Sequence, residues 1–299
     1  MTKRPIVASR VFLRPALASL VVLACVVVVR AQAPAQPPTS IPQTKFASGQ
    51  NVVPYFDGWI RNADGSFDLV FGYFNRNWQE TVLVAAGPDN RVEPGQLDQG
   101  QPTVFLPRRQ GWVYRVRVPS DFGKKVVTWT ITVNGKTEHA YGELLPVEEI
   151  TERIVMTRGN LNPGDGDPNK PPSVTIAPVA GAAPSQPIAL TALVTDDGLP
   201  KPREPIKRTQ AADATRIQQQ TNSAATAQRR GLNVSWMQLR GPAKITFEPS
   251  GAATVADGKA TVTARFPKDG TYVVRATAND GALSTKTDAT ITVGGGTVR

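Results

Sequence analysis

The chain has 299 residues, 40% of them hydrophobic, with a net charge of +10, one cysteine and one histidine. That length fits two domains of ordinary size. The single cysteine and histidine exclude a disulfide framework and a zinc site built from these residues. The positive charge is concentrated in residues 1–33 and 198–231, so it does not indicate a basic face, and we expect no nucleic-acid partner.

Residues 1–33 have the pattern of a secretory signal peptide. Basic residues precede an apolar run over 16–29, and the small residues of Ala31-Gln32-Ala33 follow it. We expect cleavage after Ala33, which would also remove Cys25, and an exported protein that is periplasmic, on the cell surface or secreted. Two alternatives stay open: a membrane anchor, although the run is shorter than the roughly 20 residues of a span, and a lipoprotein signal ending at Cys25. No later segment is apolar enough for a transmembrane helix, so none is expected in the mature chain.

The mature chain is predicted to contain two β domains separated by flexible segments. We assign 34–51 to a Pro/Gln-rich spacer, 52–156 to the first domain, 157–171 to a Gly/Asp/Pro linker, 172–293 to the second domain and 294–299 to a tail. The second domain carries a basic insertion at 200–231. This insertion is too polar to bury a core, and we expect it to be disordered or marginally helical.

The first domain has short strands with alternating apolar residues. The apolar residues at every second position of 67–73 are expected on one strand face, and Trp112 and Tyr114 on one face of another strand. Val127–Val133 alternates with threonines and runs into Asn134-Gly135, the strongest short hairpin signal. Through 71–78 and 105–109 this domain resembles a domain of uncharacterised exported bacterial proteins. The resemblance implies a fold and no activity.

Three segments of the second domain carry a more specific likeness: Thr195 to Pro200, Val234-Ser235-Trp236, and the string from Gly270 to Gly281. They resemble the PKD-like branch of immunoglobulin-like sandwiches, which occur as spacers and binding modules in large exported bacterial proteins. The resemblance implies that Trp236 is buried between two sheets and that the Tyr272 hydroxyl returns to the backbone as a tyrosine corner. The predicted fold class is therefore all-β, with two tandem immunoglobulin-like β-sandwich domains after a cleaved signal peptide.

One group of aromatic, amide and arginine side chains suits recognition of a sugar, which presents an apolar ring face and hydroxyls. The candidate ligand-binding residues are Tyr73, Phe74, Asn75, Arg76, Asn77, Trp78, Arg108 and Arg109. Core packing explains most of the rings equally well, and a solvated loop explains the two arginines of 108–109. Both interpretations stay open at this point.

Acidic residues at predicted strand ends suggest a calcium site as an alternative to simple turns. Asp196, Asp197 and Asp280 could share a calcium ion if their loops lie at one pole of the second domain. The competing interpretation is that these residues supply turn chemistry. The spacing of Asp165, Asp167 and Asn169 begins like a calcium loop but lacks its glycine and closing glutamate, and we interpret it as spacer.

The sequence shows no nucleophile–base pair and no phosphate loop, which favours a non-catalytic function. His139 is expected to be an exposed strand residue. We predict an exported accessory protein of the envelope whose sandwich surfaces contact a protein or a glycan. The alternatives are a polysaccharide-binding module, a calcium-stiffened spacer, and a glycosidase using Glu143 with Glu138 or Asp68. No cofactor other than calcium is indicated, and the pattern does not indicate an oligomeric state.

Overall fold

The structure, a computed structural model, describes residues 45–159, 168–179, 181–201 and 231–294. The predicted signal peptide, most of the spacer, the centre of the linker, nearly all of the basic insertion and the end of the tail lie outside the described residues. The predictions made for them stay predictions.

Eight strands and two short helical segments form the first half of the described chain, and we call the strands the first sandwich. They are β1 (Val52–Arg61), β2 (Phe67–Asn75), β3 (Val82–Leu83), β4 (Asn90–Glu93), β5 (Val104–Phe105), β6 (Arg108–Val118), β7 (Val127–Val133) and β8 (Lys136–Gly142), followed by a 3-10 turn at Pro146–Glu148 and α1 (Glu152–Met156). The antiparallel sheets have the orders β1-β2-β6, β3-β5 and β4-β7-β8. The Thr151 side chain caps α1 by accepting a hydrogen bond from the Ile154 amide.

Eight more strands form the second sandwich. They are β9 (Ser173–Ile176), β10 (Pro187–Thr195), β11 (Asn233–Arg240), β12 (Thr246–Glu248), β13 (Ala253–Thr254), β14 (Lys259–Arg265), β15 (Gly270–Asn279) and β16 (Ser284–Val293). The sheet orders are β12-β14-β10-β9 and β13-β11-β15-β16. The first sheet corresponds to strands D, E, B and A of an immunoglobulin-like domain, and β11, β15 and β16 correspond to C, F and G, with the short β13 added at the edge. The all-β, immunoglobulin-like fold class is confirmed.

The alternating apolar residues of β2 face the hydrophobic core of the first sandwich, as predicted. Phe67, Leu69, Phe71 and Tyr73 all belong to one buried cluster, which also contains the fully buried Trp129 of β7. The hairpin between β7 and β8 is also confirmed, with φ angles of 53° at Asn134 and 72° at Gly135, as a type I′ turn requires.

The structure corrects the predicted faces of β6. Trp112 has a φ of 52°, and the pairing of β2 with β6 shifts register between Phe71 and Tyr73. This bulge turns Trp112 away from Tyr114: Tyr114 enters the first core, whereas Trp112 packs against a small cluster on the other side of the sheet with Ile60 and Val155. A strict period of two could not reveal the two extra residues that β6 inserts here, where three of its residues lie opposite Gly72.

The second core contains the predicted tyrosine corner. The Tyr272 ring is fully buried, and its hydroxyl donates a hydrogen bond to the Lys268 carbonyl at 2.8 Å. The expectation for Trp236 needs correction, because Trp236 packs against this core but stays partly exposed. The large buried rings of the second sandwich are instead Phe266 and Tyr272, which meet edge to face with centroids 5.0 Å apart.

The outer face of the β11-β15-β16 sheet packs on the first sandwich. Leu239 is buried within the first core, and Met237 and Val273 pack against it. The Thr103 amide donates to the Leu239 carbonyl at 3.0 Å, and Arg240 pairs with Asp98 at 2.6 Å. Apolar burial and ordered polar contacts therefore join the two sandwiches directly.

Candidate functional site

Three of the predicted ligand-binding residues lie inside the protein, which corrects part of the sequence prediction. Tyr73, Asn75 and Asn77 are fully buried. The Asn75 amide group donates to the Phe105 carbonyl at 2.9 Å, while its carbonyl oxygen accepts from the backbone and side-chain amides of Asn77. The Tyr73 hydroxyl accepts from the Leu106 amide at 2.9 Å, and burial raises the pKa of Tyr73. These groups satisfy the backbone of the segment and have no surface to offer a ligand.

The predicted residues that remain exposed or half-buried lie close to a lysine that was predicted to belong to the spacer. We call Lys45, Phe74, Arg76, Trp78 and Arg108 the cation–aromatic face. The Arg108 guanidinium lies 4.7 Å from the Phe74 ring centroid and 4.2 Å from that of Trp78. The Lys45 ammonium lies 4.4 Å from the Trp78 centroid. Two cations therefore hold the exposed Trp78 ring by cation–π contacts.

Backbone pairing explains why these side chains meet. Asn75 at the end of β2 pairs with Arg108 at the start of β6, which brings the chain after β2 close to Arg108. Arg108 has a φ of 68°, an uncommon conformation for a long side chain. The Trp78 amide donates to the Phe46 carbonyl at 2.9 Å, which fixes the chain next to Lys45.

The charges of this face are unbalanced. Among the residues that the structure describes, no carboxylate forms an ion pair with Lys45, Arg76 or Arg108. The only polar contact of the Arg108 side chain in that set is a long one, 3.4 Å from its Nη1 to the Arg76 carbonyl. The exposed Lys45 and the half-buried Arg108 therefore keep donors free beside two aromatic rings, and the exposed Arg76 lies between those rings in sequence.

Arg109 lies beside this face but is already neutralised. Its Nη2 donates to Asp57 Oδ1 at 3.1 Å, and its guanidinium lies 4.1 Å from the Tyr55 centroid. The Asp57 side chain is only 3% exposed, and burial raises its pKa despite the hydrogen bond that it accepts from the Trp112 amide. Arg109 therefore belongs to a structural pair.

The three acidic residues of the proposed calcium site act as turn caps. Asp196 accepts from the Gly198 amide, and Asp197 from the Leu199 amide, each at 3.0 Å. Asp280 accepts from the amide of Leu283 at 2.7 Å. These are the local contacts that the turn interpretation predicts.

Asp196 and Asp280 nevertheless lie close enough for their charges to interact. Burial raises the pKa of Asp196, and the nearby carboxylates of Asp280 and Asp197 raise it further. Asp280 Oδ2 also accepts from the Asn169 side chain at 3.1 Å. Within the described ranges, no three side chains of His, Cys, Asp or Glu are grouped so as to bind a metal ion. The geometry gives the calcium hypothesis no ligand set there.

The residues considered for catalysis lie in structural contacts. His139 is exposed on β8, as predicted, and its Nδ1 lies 3.0 Å from Thr130 Oγ1. Asp68 pairs with Arg117 at 2.9 Å, and hydrogen bonds from this arginine lower its pKa although burial opposes the shift. Glu138 accepts from the Asn51 amide group at 2.7 Å, and Glu143 follows β8 in a half-buried position. This arrangement does not favour a carboxylate pair across a cleft.

Comparisons with known proteins give weak structural likenesses. No protein-family model matches the chain, and no curated protein matches it. Among solved structures, a conjugative transposon lipoprotein from Bacteroides eggerthii aligns at 9% identity over 40% of this chain and 95% of its own, with a TM-score of 0.26. The D00-D0 domain of intimin aligns at 15% identity over 80% of this chain and 98% of its own, with a TM-score of 0.24. The Yersinia pseudotuberculosis adhesin InvE aligns at 12% identity over 80% of this chain and 58% of its own, also with a TM-score of 0.24.

At these scores the comparisons assign no activity, ligand or partner to this chain. Across the part of the chain that the structure describes, no helix is both long and apolar enough to cross a bilayer.

Proposed function

We propose that this chain is a non-catalytic, exported binding protein of the cell envelope whose cation–aromatic face contacts an anionic polysaccharide. The export step of this proposal rests on the signal-peptide pattern of residues 1–33. The single observation that carries the ligand class is Arg108, which is held against Phe74 and Trp78 with no described acidic partner.

The geometry favours a charged glycan over a neutral one. A neutral sugar would stack on the open face of an aromatic ring, but Arg108 and Lys45 already lie within 4.4 Å of the Trp78 centroid. The guanidinium keeps donors free and can bind a carboxylate or sulfate in a forked geometry. The rings then supply apolar contact to the sugar beside the bound acid.

Affinity electrophoresis of the processed protein tests this proposal. We expect retardation in gels that contain polygalacturonate and no retardation in gels that contain neutral dextran. The retardation should weaken as the salt concentration rises, because the contacts are between charges near the surface. Arg108→Gln and Trp78→Ala should each abolish most of the retardation.

Two matched variants control for general charge and aromatic effects. Arg265→Gln removes an exposed arginine from the second sandwich, and Tyr141→Ala removes a tyrosine that is 58% exposed on β8. Both should migrate like the unmodified protein. An anion-specific face would be refuted if the protein were retarded equally in the dextran and polygalacturonate gels, or if Arg265→Gln reduced the retardation as much as Arg108→Gln does.

A further inference from the structure

A cleft of about 740 Å³ lies where the second sandwich packs on the first. Its walls come from β6 and α1 on one side and from β11, β15 and β16 on the other. The charged side chains among the lining residues are Arg115, Arg240, Arg275, Lys286, Glu152 and Asp288. Arg115, Arg240 and Arg275 each form an ion pair with a carboxylate, which belongs to Glu152, Asp98 and Asp288 respectively. The excess positive charge of the lining is therefore that of Lys286.

Lys286 is the group in the cleft that lacks a countercharge in contact. Its ammonium donates to the Trp112 carbonyl at 3.0 Å, and it forms no ion pair with any described residue. Burial, and to a lesser extent the positive charges of Arg275, Arg115 and Arg158, together lower the pKa of Lys286 to about 7, whereas Asp57 opposes the shift. An ammonium has three donors, so two remain for a ligand.

The neighbouring arginines are fixed in place before any ligand arrives. Arg275, whose side chain is 13% exposed, forms a two-bond pair with Asp288 at 2.6 and 2.8 Å and donates to the Val113 carbonyl at 2.8 Å. Arg115 forms a similar forked pair with Glu152. These pairs keep the guanidinium groups of Arg275 and Arg115 at the wall of the cleft. Arg158 does not line the cleft, but it is close enough for its charge to act on Lys286.

Strained backbone forms part of the same wall. Trp112 lines the cleft and has a φ of 52°, a genuine outlier for a bulky residue. Its amide donates to Asp57 at 2.6 Å and its carbonyl accepts from Lys286, so one side chain from each sandwich holds the backbone of Trp112. Such bulges and strained residues concentrate at functional sites.

We propose that this cleft binds a small organic anion, with a carboxylate or phosphate group against Lys286 and an apolar body against Met156, Leu239 and Val273. The volume is that of a small-molecule site, and the lining combines apolar side chains with a few convergent cations. This site is separate from the cation–aromatic face and does not depend on the polysaccharide proposal.

Calorimetric titration of the full processed chain tests the cleft with benzoate and phenyl phosphate at constant ionic strength, and with benzamide as the neutral match of benzoate. We expect at least one of the two anions to bind below about 1 mM and benzamide not to bind. Titrations at pH 8 in two buffers of different ionisation enthalpy should show proton uptake, because the anion stabilises the charged form of Lys286.

Three variants test whether the anion binds in this cleft and against Lys286. Lys286→Met should weaken anion binding at least about tenfold and abolish the proton uptake. Lys259→Met, which alters an exposed lysine of β14, and Arg108→Gln should bind as the unmodified protein does. Failure of both anions to bind up to about 10 mM, equal binding of benzamide, or binding that survives Lys286→Met would each overturn the proposal.

Discussion

Replacement of Lys286 by methionine should stabilise the protein, although it removes a native hydrogen bond. The folded protein holds this ammonium with a pKa lowered from 10.5 to about 7, and the unfolded chain returns it to the ordinary value. A depressed lysine pKa lowers stability, and this penalty is complete below the folded pKa and fades as the pH rises toward the unfolded one. Linkage gives a penalty of about 4 kcal/mol at pH 7 and about 2 kcal/mol at pH 9.

Methionine retains most of the apolar stem but leaves the Trp112 carbonyl without its donor, at a cost of about 1 kcal/mol. The expected gain for Lys286→Met is therefore about 3 kcal/mol at pH 7 and about 1 kcal/mol at pH 9. Urea denaturation at both pH values measures this difference, and Lys259→Met serves as the exposed control.

The two unfolding curves should thus converge as the pH rises. The groups whose charges act on Lys286 are Arg275, Arg115, Arg158 and Asp57, and the arginines keep their charge over this pH range. A difference between variant and parent that stays constant from pH 7 to pH 9, or a variant less stable at pH 7, would refute the reasoning.

Three further substitutions test contacts within and between the two sandwiches by urea denaturation. Tyr272→Phe should lose about 1 kcal/mol, because only the hydrogen bond to the Lys268 carbonyl disappears; an unchanged midpoint would contradict the tyrosine corner. Asn90→Ala should lose about 3 kcal/mol, because Asn90 Oδ1 is the acceptor, at 3.0 Å, for the buried indole of Trp129; a loss below that of Tyr272→Phe would argue against a stabilising role of this hydrogen bond. Leu239→Ala should lose about 3 kcal/mol and shift the unfolding of both sandwiches together, whereas two separated transitions would show that they are not coupled.

Local sequence patterns predict the structure correctly where neighbouring residues alone determine it. The period of two in β2 identified its core face, and Asn134-Gly135 identified the hairpin between β7 and β8, because each signal depends on neighbours in the chain. Tyr272 was predicted from a family resemblance, and its ring and hydroxyl lie as that resemblance implies.

Local patterns do not predict the structure where contacts between distant segments determine it. The bulge at Trp112 is held by Asp57 from β1 and Lys286 from β16, and no local pattern encodes such contacts. Asn75 and Asn77 looked like surface amides, but each satisfies buried backbone groups. Nothing in the sequence indicated that Lys286 is half-buried, since a lysine in an alternating strand ordinarily faces solvent.

The burial of Leu239 in the first core has a practical consequence for anyone who wishes to study the sandwiches separately. Excising either one would leave Leu239, Met237 and Val273, or the apolar floor that receives them, in water. Such a fragment would carry an adhesive hydrophobic patch and would tend to self-associate. Polar replacements at these three positions should accompany any attempt to express the second sandwich alone.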